Sequence, residues 1–113
     1  MRFEWSEAKD RANLRKHDVS FEGARLVFED PWAISVSDRL HDEEEQRFVT
    51  IGAIGSGSVL YVVHTWEFCE DDDVIRIISA RAASAHERRF YEEAYQSAKT
   101  RYRRNRGKSG RGD

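Results

Sequence analysis

The chain is poor in the residues that mark stapled, metal-knit or membrane-bound proteins. Its only cysteine is Cys69, in 113 residues. That excludes an internal disulfide and any zinc site built from several thiolates. No run of ~18 apolar residues occurs, so no membrane-spanning helix is expected. The opening Met1-Arg2-Phe3-Glu4-Trp5 is charged at once and lacks the apolar stretch of a secretory signal. A cytoplasmic setting is the expectation. The single proline, Pro31, leaves one strong break in the chain.

What is present suits a small folded domain. The composition is 39% hydrophobic and 12% aromatic, which is enough apolar surface for a core. Residues 1–102 read as one domain and 103–113 as a disordered basic tail. The net charge of −2 hides a segregation, because residues 1–73 carry −9 and residues 74–113 carry +7. A basic C-terminal third suits a polyanionic partner. On charge alone, a solvated helix followed by a basic tail accounts for it as well.

Periodicity divides the chain. Arg2 to Trp5 alternates as a short strand, and Ser6 caps a helix that reaches Lys16-His17. Asp18 stands where a left-handed residue would close that helix. Ser20 caps a second helix with Phe21, Ala24, Val27 and Phe28 on one face, ended by Asp30-Pro31. Beyond Pro31 the period becomes two. Residues 32–38, 47–54, 59–65 and 74–80 read as strands, separated by the acidic loop 38–45, the hairpin signal Gly55-Ser56-Gly57-Ser58 and the connection 66–73. Ser84 and Glu87 form a capping-box pair for a last helix, with Phe90, Ala94 and Ala98 as its stripe, widened by Tyr91 and Tyr95. The order predicts an α+β fold: a short N-terminal strand, two helices, an antiparallel meander of about four strands and a C-terminal helix. The helices are expected on one face of an antiparallel sheet.

Several blocks resemble the BrnT family. They are the opening Phe3 to Ala24 (F-E-W…N-L-R-K-H-x-V-S-F-E-x-A), Arg47 to Gly52, Val62 to Thr65 and, most specifically, Arg76 to Tyr91 (R-I-I-S-A-R-x-A-x-x-x-E-R-x-x-Y). The resemblance spans about residues 1–95. It implies a RelE-like fold and a ribonuclease toxin of a bacterial type II toxin–antitoxin pair. The implied partner is a BrnA-like antitoxin of ribbon-helix-helix type that binds DNA, in a heterotetramer of two toxins on an antitoxin dimer. Asp18 replaces the glycine usual in the family, and the connection 66–73 is longer and more acidic than usual.

Metal-free RNA cleavage needs proton transfer and charge stabilisation at phosphorus. Arginine suits the second task because its planar fork binds two phosphate oxygens. Histidine suits the first because it titrates near neutrality. The four histidines are scattered with no metal-ligand spacing, so no metal or other cofactor is expected. Arg76 interrupts a strand of Val74, Ile75, Ile77 and Ile78, where a guanidinium is costly unless it meets solvent or an anion. Arg81 ends the same strand before the helix start at Ser84, a natural anion site. Residues 76 and 81 fall on opposite faces of a regular strand, so they converge only through a bulge or an early strand end. His64 reads by itself as a hydrogen-bonded core residue, while the resemblance favours it as the proton-transfer group. The catalytic set is therefore His64, Arg76 and Arg81, with Lys16, His17, Arg47 and Arg88 as phosphate ligands. The alternative is a non-catalytic nucleic-acid-binding module using the same basic face.

Overall fold

The first two helices start where a hydroxyl meets free backbone N–H groups. The computed structural model describes residues 1–38 and 46–111, with side chains as far as Arg101. Ser6 Oγ accepts from Lys9 N at the head of α1 (Glu7–His17), and Ser20 Oγ accepts from Gly23 N at the head of α2 (Phe21–Ala24). Asp18 closes α1 with a φ of 58°, the left-handed cap expected of it. The second helix is shorter than its apolar period suggests, since Arg25–Glu29 tightens into a 3-10 turn before Pro31.

Five strands follow the expected segments within about two residues. They are β1 (Arg2–Glu4), β2 (Ile34–Asp38), β3 (Arg47–Ala53), β4 (Val59–Glu67) and β5 (Val74–Ala82), followed by α3 (Ala85–Arg111). Most of the expected acidic loop, including His41, lies outside the described residues. The sheet order is β1-β5-β4-β3-β2. Strands β2 to β5 form the expected antiparallel meander, but β1 pairs parallel with β5. The sheet is therefore mixed rather than purely antiparallel. Three alternating residues carry no information about strand direction, and the helices after β1 return the chain on one face of the sheet.

Both sheet faces are occupied, which corrects the expectation of helices on one face. One face packs Leu60, Val62, Ile75, Ile77 and Ala80 against Phe21, Ala24 and Val27. Asn13 seals α1 to the outer edge of β5, donating from Nδ2 to Ala80 O and accepting from Ala80 N. This side chain supplies a strand's hydrogen bonds where β1 has already ended. The other face carries Val49, Ile51, Val59 and Tyr61, partly covered by α3. There Tyr91, Ala94, Tyr95 and Ala98 of the expected stripe turn inward, and only Phe90 does not. Tyr91 is 7% exposed and Phe90 is 50% exposed. Tyr91 donates to Asp30 Oδ2 at 2.5 Å, and the same carboxylate accepts from Trp32 N and Ala53 N. An aromatic ring with a hydroxyl fits this polar anchor and phenylalanine does not.

Candidate active site

A bulge resolves the parity problem in β5. Val63 pairs with Ser79, but the next residue, His64, pairs with Ile77, so Ile78 is the extra residue. Beyond it the register resumes with Thr65 opposite Arg76, while on the other side Tyr61 is opposite Arg81. Tyr61, Val63 and Thr65 alternate onto one face, so Arg81, Ser79 and Arg76 share that face. It is the face that α3 covers only in part. Thr65 and Tyr61 are four residues apart, about 13 Å along an extended strand. Two extended arginines can approach one phosphodiester from its two ends across that span.

Arg81 is held firmly. Its Nη1 and Nη2 donate to Glu87 Oε1 and Oε2 at 2.7 and 3.0 Å, and Nη1 also lies 3.3 Å from Ala82 O. Its Cζ sits 3.9 Å from the centre of the Tyr61 ring, a cation–π contact. Glu87 also accepts from Ser84 N, and Ser84 Oγ accepts from Glu87 N, so the expected capping box is present. The Arg81 guanidinium hydrogen-bonded to Glu87 holds its carboxyl at about 2, far below the usual carboxylate range. The same bond raises the arginine further. The helix start expected to receive a phosphate is thus already occupied by this carboxylate. Glu87 reads in the sequence only as a capping residue, and Tyr61 only as a strand aromatic. The i, i+6 spacing of Arg81 and Glu87 across a turn was the available signal.

Arg47 shares the open face. It pairs with Asp38, and Val49, two residues on, lies opposite Val63. It therefore stands across β4 from Arg76, about two strand spacings or ~10 Å away. Arg88 is exposed in the first turn of α3, but one residue beyond Glu87 turns it about 100° around the helix. Lys16 and His17 end α1, which packs on the opposite layer, and His17 lines a cleft with Ser20, Leu60 and Ala82. The sheet separates them from Arg76 and Arg81. They do not join the open-face cluster.

His64 is on the opposite face too, and its exposure is 0%. Nδ1 lies 3.0 Å from Thr65 O, which fixes the ring proton there, since a carbonyl can only accept. Nε2 then accepts from the Thr50 hydroxyl at 2.7 Å, and Thr50 Oγ1 accepts from Ser35 Oγ at 2.7 Å. Phe28 meets the ring edge-on and Phe48 stacks beside it. Burial pushes the imidazole below its ordinary value. With both nitrogens engaged inside the core, direct proton transfer to a substrate does not fit this position. The hydrogen-bonded core reading fits it.

Among the described residues no three His, Cys, Asp or Glu side chains converge as a metal-ligand group. No helix among them is long and apolar enough to cross a membrane.

Residues 5–87 match the family model described as the ribonuclease toxin, BrnT, of type II toxin–antitoxin systems. The chain belongs to the BrnT family. A crystal structure of the Brucella abortus ribonuclease toxin BrnT is similar in fold, with a TM-score of 0.55 at 21% identity. That alignment covers 74% of this chain and 97% of the Brucella chain. No curated protein matches the sequence. The matched segment begins just after β1 and ends at Glu87, so it includes β2 to β5, the bulge and the carboxylate that grips Arg81. Most of α3 lies beyond it.

Proposed function

We propose that this BrnT chain is a cytoplasmic endoribonuclease toxin that cleaves RNA without a metal ion, halting translation and growth. A BrnA-like antitoxin of ribbon-helix-helix type neutralises it, two toxins to an antitoxin dimer. The observation that carries the reading is the Ile78 bulge, which puts Arg76 and Arg81 on one open sheet face. In the reaction the ribose 2′-oxygen attacks phosphorus and the bond to the 5′-oxygen breaks. Negative charge accumulates on the non-bridging oxygens, where Arg76 and Arg81 act as fixed donors. Arg47 holds a neighbouring phosphate. Proton transfer falls to groups on this face, while His64 stiffens the sheet behind it. A RelE-like arrangement of strands and terminal helix belongs to the same reading.

Inducing the chain in a bacterium, with and without the antitoxin frame, and scoring growth and RNA integrity tests the reading directly. Cleavage of single-stranded RNA is expected to survive excess EDTA and to leave 2′,3′-cyclic or 3′-phosphate ends. Loss with EDTA and recovery with magnesium would refute the metal-free mechanism.

The basic segment after Arg101 adds affinity rather than chemistry. Each phosphate it neutralises contributes about −0.7 to the slope of log K against log salt on single strands. Deleting residues 103–113 is expected to flatten that slope while cleavage at saturating RNA persists. An unchanged slope would show that the segment does not touch RNA.

A further inference from the structure

The way Glu87 binds Arg81 leaves a particular edge of the guanidinium open. Glu87 takes the end formed by Nη1 and Nη2, and Nη1 also faces Ala82 O. Among the described residues, no hydrogen bond uses Nε–H or the second Nη2 proton of Arg81. Those two donors lie side by side on one edge of the planar group, the second of the two forks with which arginine binds an oxyanion. The Tyr61 ring beneath Cζ blocks one face of the plane and limits its tilt. Arg81 is 37% exposed in its side chain, against 21% for Glu87, so the cation and not its partner is the more accessible group.

We propose that Glu87 is a positioning residue of the ribonuclease site. Its carboxylate does not compete with phosphate for Arg81. It holds the end of the guanidinium so that the Nε/Nη2 edge meets the non-bridging oxygens in a fixed direction. The inference rests on the ribonuclease reading above and names how one of its donors is preorganised. An arginine held by a carboxylate and an aromatic ring loses little rotamer freedom when phosphate arrives, so its Nε–H and Nη2–H donors are already aimed when the transition state forms. Glu87 touches no substrate and acts only through Arg81.

The double role of Glu87 in the cap and in the ion pair sets the choice of variants. Glu87→Gln keeps an oxygen for Ser84 N and removes the charge that grips Arg81. Ser84→Ala weakens the cap from its other side and leaves the Glu87–Arg81 pair intact. With full-length protein and total bacterial RNA, Glu87→Gln is expected to lower kcat about 10- to 100-fold with KM changed less than threefold. Ser84→Ala is expected to lower the melting temperature at least as much and to keep kcat within about threefold. In the Arg81→Ala background, adding Glu87→Gln is expected to cost nothing further. Nitrogen-15 spectra of the Arg81 side chain give an activity-independent readout, because its Nη protons are expected to broaden in Glu87→Gln alone. Equal kcat for Glu87→Gln and wild type, or additive losses with Arg81→Ala, would overturn the positioning role while the site stands. Full cleavage by folded Arg81→Ala would overturn both, since Glu87 would then have nothing to position.

Discussion

Arg76→Ala is expected to lower RNA cleavage and toxicity by about 10²–10³-fold, the usual loss for one preorganised transition-state donor. Stability is expected to stay within ~1 kcal/mol of wild type. The two expectations have one cause. Arg76 is exposed on β5 while its neighbours Ile75 and Ile77 are buried on the other face. Truncating it opens no cavity and removes no core contact. Its charge stands on the sheet face that Arg81 shares, so the loss in rate reads its interaction with phosphate, while a polar contact given up at an exposed site is worth at most about 1 kcal/mol of stability. Arg81→Ala is expected to lose a similar factor in rate, and the double variant less than the product of the two, because both donors serve one charge. Thermal melting beside growth rescue separates the outcomes. A variant that melts many degrees lower, or that stays folded and fully toxic, would make Arg76 structural and the site misplaced.

Much of this arrangement is legible in the residues because the governing signals are local. Alternation marks β2 to β5, Gly55 to Ser58 marks the hairpin, and Ser84 with Glu87 marks the start of α3. What the sequence hides is set by pairing between distant segments. The parallel seat of β1 beside β5 depends on where α1 returns the chain, which three alternating residues do not encode. The bulge at Ile78 leaves no mark, since an extra isoleucine in an apolar strand looks like any other. Yet that one residue decides whether Arg76 and Arg81 share a face. The exposure of Phe90 on α3 has a similar origin: Tyr91 is preferred to it in the core because Asp30, 61 residues earlier, offers a carboxylate. Glu87 was visible as a cap while its hold on Arg81 was not. A capping carboxylate and an ion-pairing carboxylate are the same residue type at the same spacing.

His64→Ala is expected to be the most destabilising of these substitutions, at about 3–5 kcal/mol by analogy with removal of a large buried aromatic ring. Two costs combine. The cavity would open among Phe28, Phe48 and Trp66, and Thr50 Oγ1 and Thr65 O would each lose a partner in the core. For a domain of this size each kcal/mol lowers the melting temperature by roughly 4–8 °C, so the effect is large enough to unfold the variant near growth temperature. The wild type is expected to carry a pH signature of the same residue. Burial holds the folded imidazole below 6.5, so the unfolded chain binds the proton more readily. The stability from a neutral His64 is therefore present above pH 6.5 and is lost as pH falls towards the depressed folded value, by at most ~1.4 kcal/mol per unit. His64→Gln cannot titrate there, so its melting temperature is expected to lie lower throughout and to lose this acid-side slope. Melts from pH 5 to 8 on both variants, with cleavage rates measured on the folded fraction, decide the matter. If His64→Ala melts like wild type and its rate profile loses a limb near neutrality, the residue reaches the substrate after all and the core reading fails.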